Sequence, residues 1–147
     1  MLYRGVNKIT DQKNDDHLLP MGNIVEVIPL ADGKWKFDGT FKHGPCESNT
    51  ARAHQIDSGL YGGSGISTSR SEQIAIRFAT SDYMEEGYVY VIDETLLAII
   101  ANVICYEFDD PVNPHEKEVT LLERSGGALP EHIIIEKYAV NCDGKRI

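Results

Sequence analysis

The stretch Gly87–Asp93 reads GYVYVID, an alternation of aromatic and β-branched residues that suits a half-buried strand. Several other short segments have the same character. MLYRGV at residues 1–6 reads as a strand that reaches Arg4 and stops at Gly5. Ile24–Leu30 alternates, and the Asp-Gly signals that follow predict a hairpin around Asp32–Gly33. Gly65–Ser69, Lys117–Glu123 and Glu131–Val140 read as further strands, and Glu94–Phe108 as a helical turn followed by a strand. Helical pattern is sparse. One helix is predicted from about Ser48 to Asp57, capped by Ser48 or Asn49 and ended by Gly59. Another runs from Ser71, a fair N-cap, to about Thr80, with Ala75, Ile76, Phe78 and Ala79 as its buried face. The polar stretch from Asn7 to Asn23 reads as a loop with at most one helical turn. About six to eight strands with two or three helices, in mixed order, exclude a regular βαβ alternation and point to an α+β fold.

The length of 147 residues fits a single domain spanning 1–147. There are 23 acidic against 14 basic residues, a net charge of −9, which argues against a nucleic-acid partner and an anionic membrane surface. An anionic small ligand would need locally placed arginines or backbone N–H groups. Cys46, Cys105 and Cys142 are odd in number and lack a CxxC spacing, so they read as free thiols, and no metal is expected. The first residues, MLYRGVNKITDQKNDD, hold no apolar core of a signal peptide. The longest apolar run, Leu96–Cys105, is about half of what a membrane span needs. The expectation is a soluble protein that, if exported, leaves by a specialised route or acts in the cytosol of a target cell.

Four groups of residues can carry chemistry. In HEKEV, Glu116 and Glu118 would share one strand face, ~6.5–7 Å apart at Cα, with Lys117 facing away. Two carboxylates that close push their pKa values apart and can divide electrostatic from acid–base work. Such a pair suits reactions through an oxocarbenium ion. Arg4, followed by Gly5, can present its fork to a phosphate while the backbone comes close to the ligand. In the run Ser67-Thr68-Ser69, Ser67 and Ser69 would share a face, and one hydroxyl could fix a carboxylate on a neighbouring strand. His43 in FKHGP is a base, an acceptor contact or a surface histidine. Taken singly, each is far more often an ordinary strand or surface residue.

Taken in order, they carry a resemblance. An arginine near the N-terminus, an S-T-S strand, then E-x-E before an apolar strand resembles the R-S-E pattern of mono-ADP-ribosyltransferases of the cholera-toxin and heat-labile-enterotoxin group. The likeness covers essentially the whole chain: LYRG to the opening strand, LLPMGN to an L-x-P-x-G loop, GISTS with its helix, YVYVID, and NPHEKEVTLL…GGALPEHII. It extends to the neisserial ADP-ribosyltransferases through HGP, AHQI, FATS and EKEVT.

The resemblance implies two steeply crossed, mostly antiparallel sheets with flanking helices around an NAD cleft. NAD would be the co-substrate. Arg4 would hold NAD phosphates or ribose, with Gly5 beside it. Ser67 would orient Glu118, supported by Thr68 and Ser69. Glu118 would stabilise the oxocarbenium as nicotinamide leaves, and Glu116 would orient the acceptor and take its proton. His43 would lie on the acceptor side. In this family, Glu at the position of Glu116 goes with arginine acceptors, so an arginine-bearing protein or small guanidino compound is the expected acceptor. The loop around ERSGGAL and Pro130 is longer than in cholera-type sequences and would lie near the acceptor side. Rival readings are an NAD glycohydrolase with water as main acceptor and a non-catalytic NAD-binding module. A carbohydrate hydrolase is disfavoured, since its carboxylates flank the bond from opposite sides.

Overall fold

The computed structural model describes residues 1–22, 30–31, 34–35, 47–56, 64–111 and 113–147. In chain order the elements are β1 (Leu2–Asn7), α1 (Lys8–Lys13), β2 (Leu30–Ala31), β3 (Lys34–Trp35), α2 (Glu47–Ile56), β4 (Ile66–Ser69), α3 (Glu72–Ala79), β5 (Gly87–Ile92), α4 (Glu94–Ala98), β6 (Val103–Tyr106), β7 (Glu118–Glu123) and β8 (Ile134–Val140). The fold is α+β. Six strands form one antiparallel sheet in the order β6-β7-β4-β1-β5-β8. Among the described residues the expected second sheet is represented by the β2–β3 hairpin, in which Leu30 pairs with Trp35 and Ala31 with Lys34. No described helix is long and apolar enough to cross a membrane.

The alternation in GYVYVID sends its side chains to two cores. Tyr90 and Ile92 join Leu2, Val6, Ile66, Val119, Leu121 and Ile133 on one face of the sheet. Val89 and Val91 join Ala75, Ala79, Tyr138 and Val140 on the other, under α3. Burial on both faces makes β1, β4 and β5 the rigid floor from which the site projects.

Several local expectations are corrected. The first strand does not stop at Gly5; it pairs with β5 along its whole length, from Leu2–Ile92 to Asn7–Gly87. Glycine is required there because α3 lies directly on it: a Cβ at Gly5 would sit 1.8 Å from the Ala75 carbonyl oxygen. Gly87, at the start of the neighbouring strand, meets the Ala79 carbonyl in the same way. Ser71 does cap α3, its hydroxyl accepting from the Ile74 N–H. Ala75 and Ala79 face the sheet, but Phe78 points away from it and is 50% exposed. The second helix begins at Glu47, so Ser48 and Asn49 lie within it rather than capping it. His43, Cys46, Gly59 and most of Ile24–Leu30 fall outside the described residues.

The polar segment after β1 holds a six-residue helix, α1, capped by the Asn7 side chain on the Thr10 N–H at 2.8 Å. A buried polar knot fastens it. Asp11, 2% exposed, accepts from the Tyr90 hydroxyl and from Lys137 Nζ at 2.7 Å, and Lys137 also reaches Asp16 at 2.7 Å. The pairing of Lys137 with two carboxylates satisfies a charge that would otherwise be expensive to bury. It fixes the corner that follows Arg4.

Candidate active site

The site is assembled on three adjacent strands. β1 brings Arg4, β4 brings the S-T-S run, and β7 brings Glu118, with Ser69 registered against Tyr3 on one side and against Glu118 on the other. Ser67 is therefore a diagonal neighbour of Glu118 across the β4–β7 pair. Its hydroxyl donates to Glu118 Oε2 at 3.1 Å. Thr120, two residues along the same strand, donates to that oxygen at 2.7 Å. Arg4 Nη1 donates to the Ser67 carbonyl at 3.2 Å, which ties β1 to β4 at the level of the carboxylate.

These contacts act against one another on Glu118. Burial holds its pKa above the ordinary carboxylate value; the hydrogen bonds from Thr120 and Ser67 pull it back, Glu116 pushes it up, and Arg4 favours the anion. Burial lowers the pKa of Arg4, and Glu118 partly restores it. The Arg4 Nε is a buried donor with no partner among the described residues. One acceptor oxygen of a ligand would satisfy it.

Glu116 arrives by a route the alternation does not predict. It is not in the strand; it ends a 3-10 turn at Pro114–Glu116, and Lys117 follows with φ of +49°. The strand starts only at Glu118. The left-handed residue swings the chain so that both glutamates still line one narrow crevice, together with Arg4, Ser67 and Phe78. Two hydrogen bonds from the next strand over hold this corner. Ser69 Oγ donates to the Glu116 carbonyl at 2.6 Å, and the Arg70 N–H donates to the Lys117 carbonyl at 3.1 Å. Thr68 turns the other way and bonds the Val119 carbonyl at 2.6 Å. Arg4, Gly5, Ser67, Thr68, Ser69, Glu116 and Glu118 thus all border one crevice, whereas His43 lies outside the described residues.

A histidine does reach the site, from elsewhere. His54, on α2 and 6% exposed, places Nε2 at 2.6 Å from Ser67 Oγ. Burial, then the nearby Arg4, push its pKa down to about 4, so the ring is neutral at pH 7. Because the single Ser67 proton is directed at Glu118, His54 must donate through Nε2, giving a relay His54 → Ser67 → Glu118. Gly65 makes room for the ring: a Cβ there would sit 2.7 Å from His54 Cγ. Arg52, two residues earlier on the same helix, locks α2 down by bonding Asp110 at 2.8 and 3.0 Å and lying 3.7 Å over the Phe108 ring. Sequence reasoning missed His54 and Thr120. The motif AHQI was the available signal for the first; the second needed only the i, i+2 relation to Glu118.

Beside the crevice, a larger pocket of about 460 Å³ shares Arg4 and is lined by α1 and by Leu18–Met21. A ligand held at Glu118 could extend across Arg4 into it.

The comparisons agree with this architecture. Structures of heat-labile enterotoxin resemble it: a double-cysteine mutant, 21% identical with a TM-score of 0.53 over 100% of this chain, and a buried-residue mutant of the E. coli toxin, 22% identical with a TM-score of 0.52 over 99% of it. The chain spans 59% of the first enterotoxin chain and 71% of the second. No curated protein sequence matches it. The sequence model of the NarE family matches residues 1–121, more than half of the chain. The chain therefore belongs to the NarE family, the neisserial ADP-ribosyltransferases.

Proposed function

We propose that the protein is a mono-ADP-ribosyltransferase that cleaves the nicotinamide–ribose bond of NAD and transfers ADP-ribose to a guanidino acceptor, with hydrolysis of NAD as a side reaction. The observation that carries this reading is the convergence of Arg4, Ser67, Glu116 and Glu118 on one crevice. Arg4, with its unsatisfied Nε, suits a ribose hydroxyl or phosphate oxygen of NAD. As the C1′–N bond breaks, nicotinamide leaves with the electron pair and positive charge develops on the ribose. The Glu118 carboxylate, held by Ser67 and Thr120, opposes that charge. A guanidinium is protonated at pH 7 and attacks only as it gives up a proton. Glu116, in the same crevice on its own turn, is the base that takes it. Water in the acceptor position gives free ADP-ribose instead.

The test is nicotinamide release from labelled NAD, with and without agmatine. Release that rises with agmatine, with label on the agmatine, supports transfer. Release indifferent to agmatine, with ADP-ribose as product, replaces the reading with a glycohydrolase. Glu118→Ala should abolish both reactions. Glu116→Gln should remove transfer while sparing much of the hydrolysis.

A further inference from the structure

Behind Glu116 lies a second pocket, of about 300 Å³, between the outer side of α3 and the turn that follows it. Ile74, Arg77, Phe78, Ser81, Asp82 and Glu116 line it. That volume is at the low end for a small-molecule site. Its charged lining is two carboxylates and one guanidinium, so a cation is the ligand it would accept.

Phe78 explains how this pocket meets the crevice. Its ring borders both. Its neighbours Ala75 and Ala79 are buried against the sheet, yet this large aromatic stays half exposed. A ring in that position offers a face to a cation. Asp82 stands opposite on a constrained turn. Ser81, Asp82 and Tyr83 have φ of 49°, 59° and 66° in succession. The Asp82 N–H bonds the Arg77 carbonyl at 2.9 Å, and the Tyr83 N–H bonds Thr80 Oγ1 at 3.0 Å. The backbone at Asp82 is therefore held in place, and Arg77 orients its carboxylate.

Arg77 shows what this carboxylate binds. Its Nη2 and Nε both reach Asp82 Oδ1, at 2.9 and 3.2 Å, and the side chain of Asp82 is 73% exposed. A resident guanidinium already occupies the pocket edge. We infer that this pocket receives the acceptor's guanidinium, that Asp82 is its specificity-determining carboxylate, and that Phe78 supplies the stacking face between acceptor and NAD. The inference rests on the transferase reading and deepens it. Incoming guanidinium and Arg77 compete for one carboxylate; Glu116, at the crevice end, then meets the nitrogen that attacks.

Two variants give opposite signs. Asp82→Asn should raise the KM for agmatine about tenfold or more relative to the KM for NAD in the same protein, the loss of one charge-assisted contact. Arg77→Gln removes the competitor and should lower the agmatine KM, by roughly twofold to fivefold, as an exposed ion pair is weak. If the Arg77–Asp82 pair only braces the turn, both variants will move the agmatine KM in the same direction, which overturns the inference. A ratio of KM values that stays within about twofold in Asp82→Asn overturns it too. A wild-type protein with no agmatine-dependent release fails the transferase reading, and the inference with it. Normal wild-type transfer with an indifferent Asp82 variant removes the pocket alone.

Discussion

The hydroxyl of Ser69 donates a 2.6 Å hydrogen bond to the main-chain carbonyl of Glu116. It also accepts from the Ser71 N–H at 3.0 Å, just ahead of α3. One buried side chain thus joins the start of α3 to the turn that carries Glu116.

Ser69→Ala should loosen that turn without touching the hydrogen bonds of Glu118. Losing a hydrogen bond to a buried partner should cost about 1–2 kcal/mol of folding stability, measurable by urea unfolding. Transfer to agmatine should fall by about tenfold, and NAD hydrolysis by much less. Equal losses in both reactions would mean that Glu116 is not placed by this contact.

Thr120→Val removes a donor to Glu118 at nearly constant volume. Burial already raises the pKa of Glu118 from its ordinary value. Without the Thr120 hydrogen bond its anion is less favoured, so the acid limb of the pH–rate profile should move to higher pH. The plateau rate should fall on the order of tenfold, since the carboxylate is also less well aimed. An unmoved acid limb would show that the limb reports some other group.

His54 ties stability to pH. Its pKa is about 4 in the folded protein against 6.5 for the free side chain. Between those values the unfolded chain binds the proton more readily, so stability is full above pH 6.5 and is lost as the pH falls toward 4. The loss attributable to this ring is roughly 3 kcal/mol. The raised pKa of Glu118 acts with the opposite sign, since acid relieves its buried charge. Urea unfolding of the wild type and of His54→Gln at pH 7 and pH 4.5 separates the two. The wild type should lose more stability than the variant. Parallel losses would place the acid sensitivity elsewhere.

That Arg4, Ser67 and Glu118 meet in one crevice was legible because the segments that carry them are local: LYRG, ISTS and EKEV each sit at a strand end or start. The register that joins them is non-local, and only the alternation of each strand hinted at it. Glu116 borders the crevice beside Glu118, but not through strand alternation. Strict strand alternation would have kept it on the face of Glu118, but Pro114 starts a 3-10 turn and Lys117 adopts a left-handed conformation. Convergence is restored by Ser69 and Arg70, residues far away in sequence. Phe78 was misread because helix periodicity counts apolar residues without knowing that Gly5 and Gly87 draw the helix onto the sheet along its alanines. His54 was overlooked because a histidine on a polar helix has no local mark of burial; its burial comes from Gly65 and the strand behind it.

Gly5→Ala tests the floor of the site. The added methyl would lie 1.8 Å from the Ala75 carbonyl oxygen and 2.7 Å from the Ala79 nitrogen, both backbone atoms of α3. No rotamer change can relieve such contacts. The helix must rise from the sheet, or β1 must leave its register with β5. Either opens the core formed by Ala75, Ala79, Val89 and Val91. The expected loss is about 4 kcal/mol or more, the range reserved for overpacked or disrupted cores. Thermal unfolding followed by circular dichroism should show a Tm lowered by roughly 8–16 °C or more, or no cooperative transition. Because Arg4 is the adjoining residue and Phe78 rides on α3, any protein that does fold should also bind NAD and agmatine poorly. A variant with wild-type Tm would mean that α3 does not sit on Gly5 as described, and the wall of the crevice it forms would have to be redrawn.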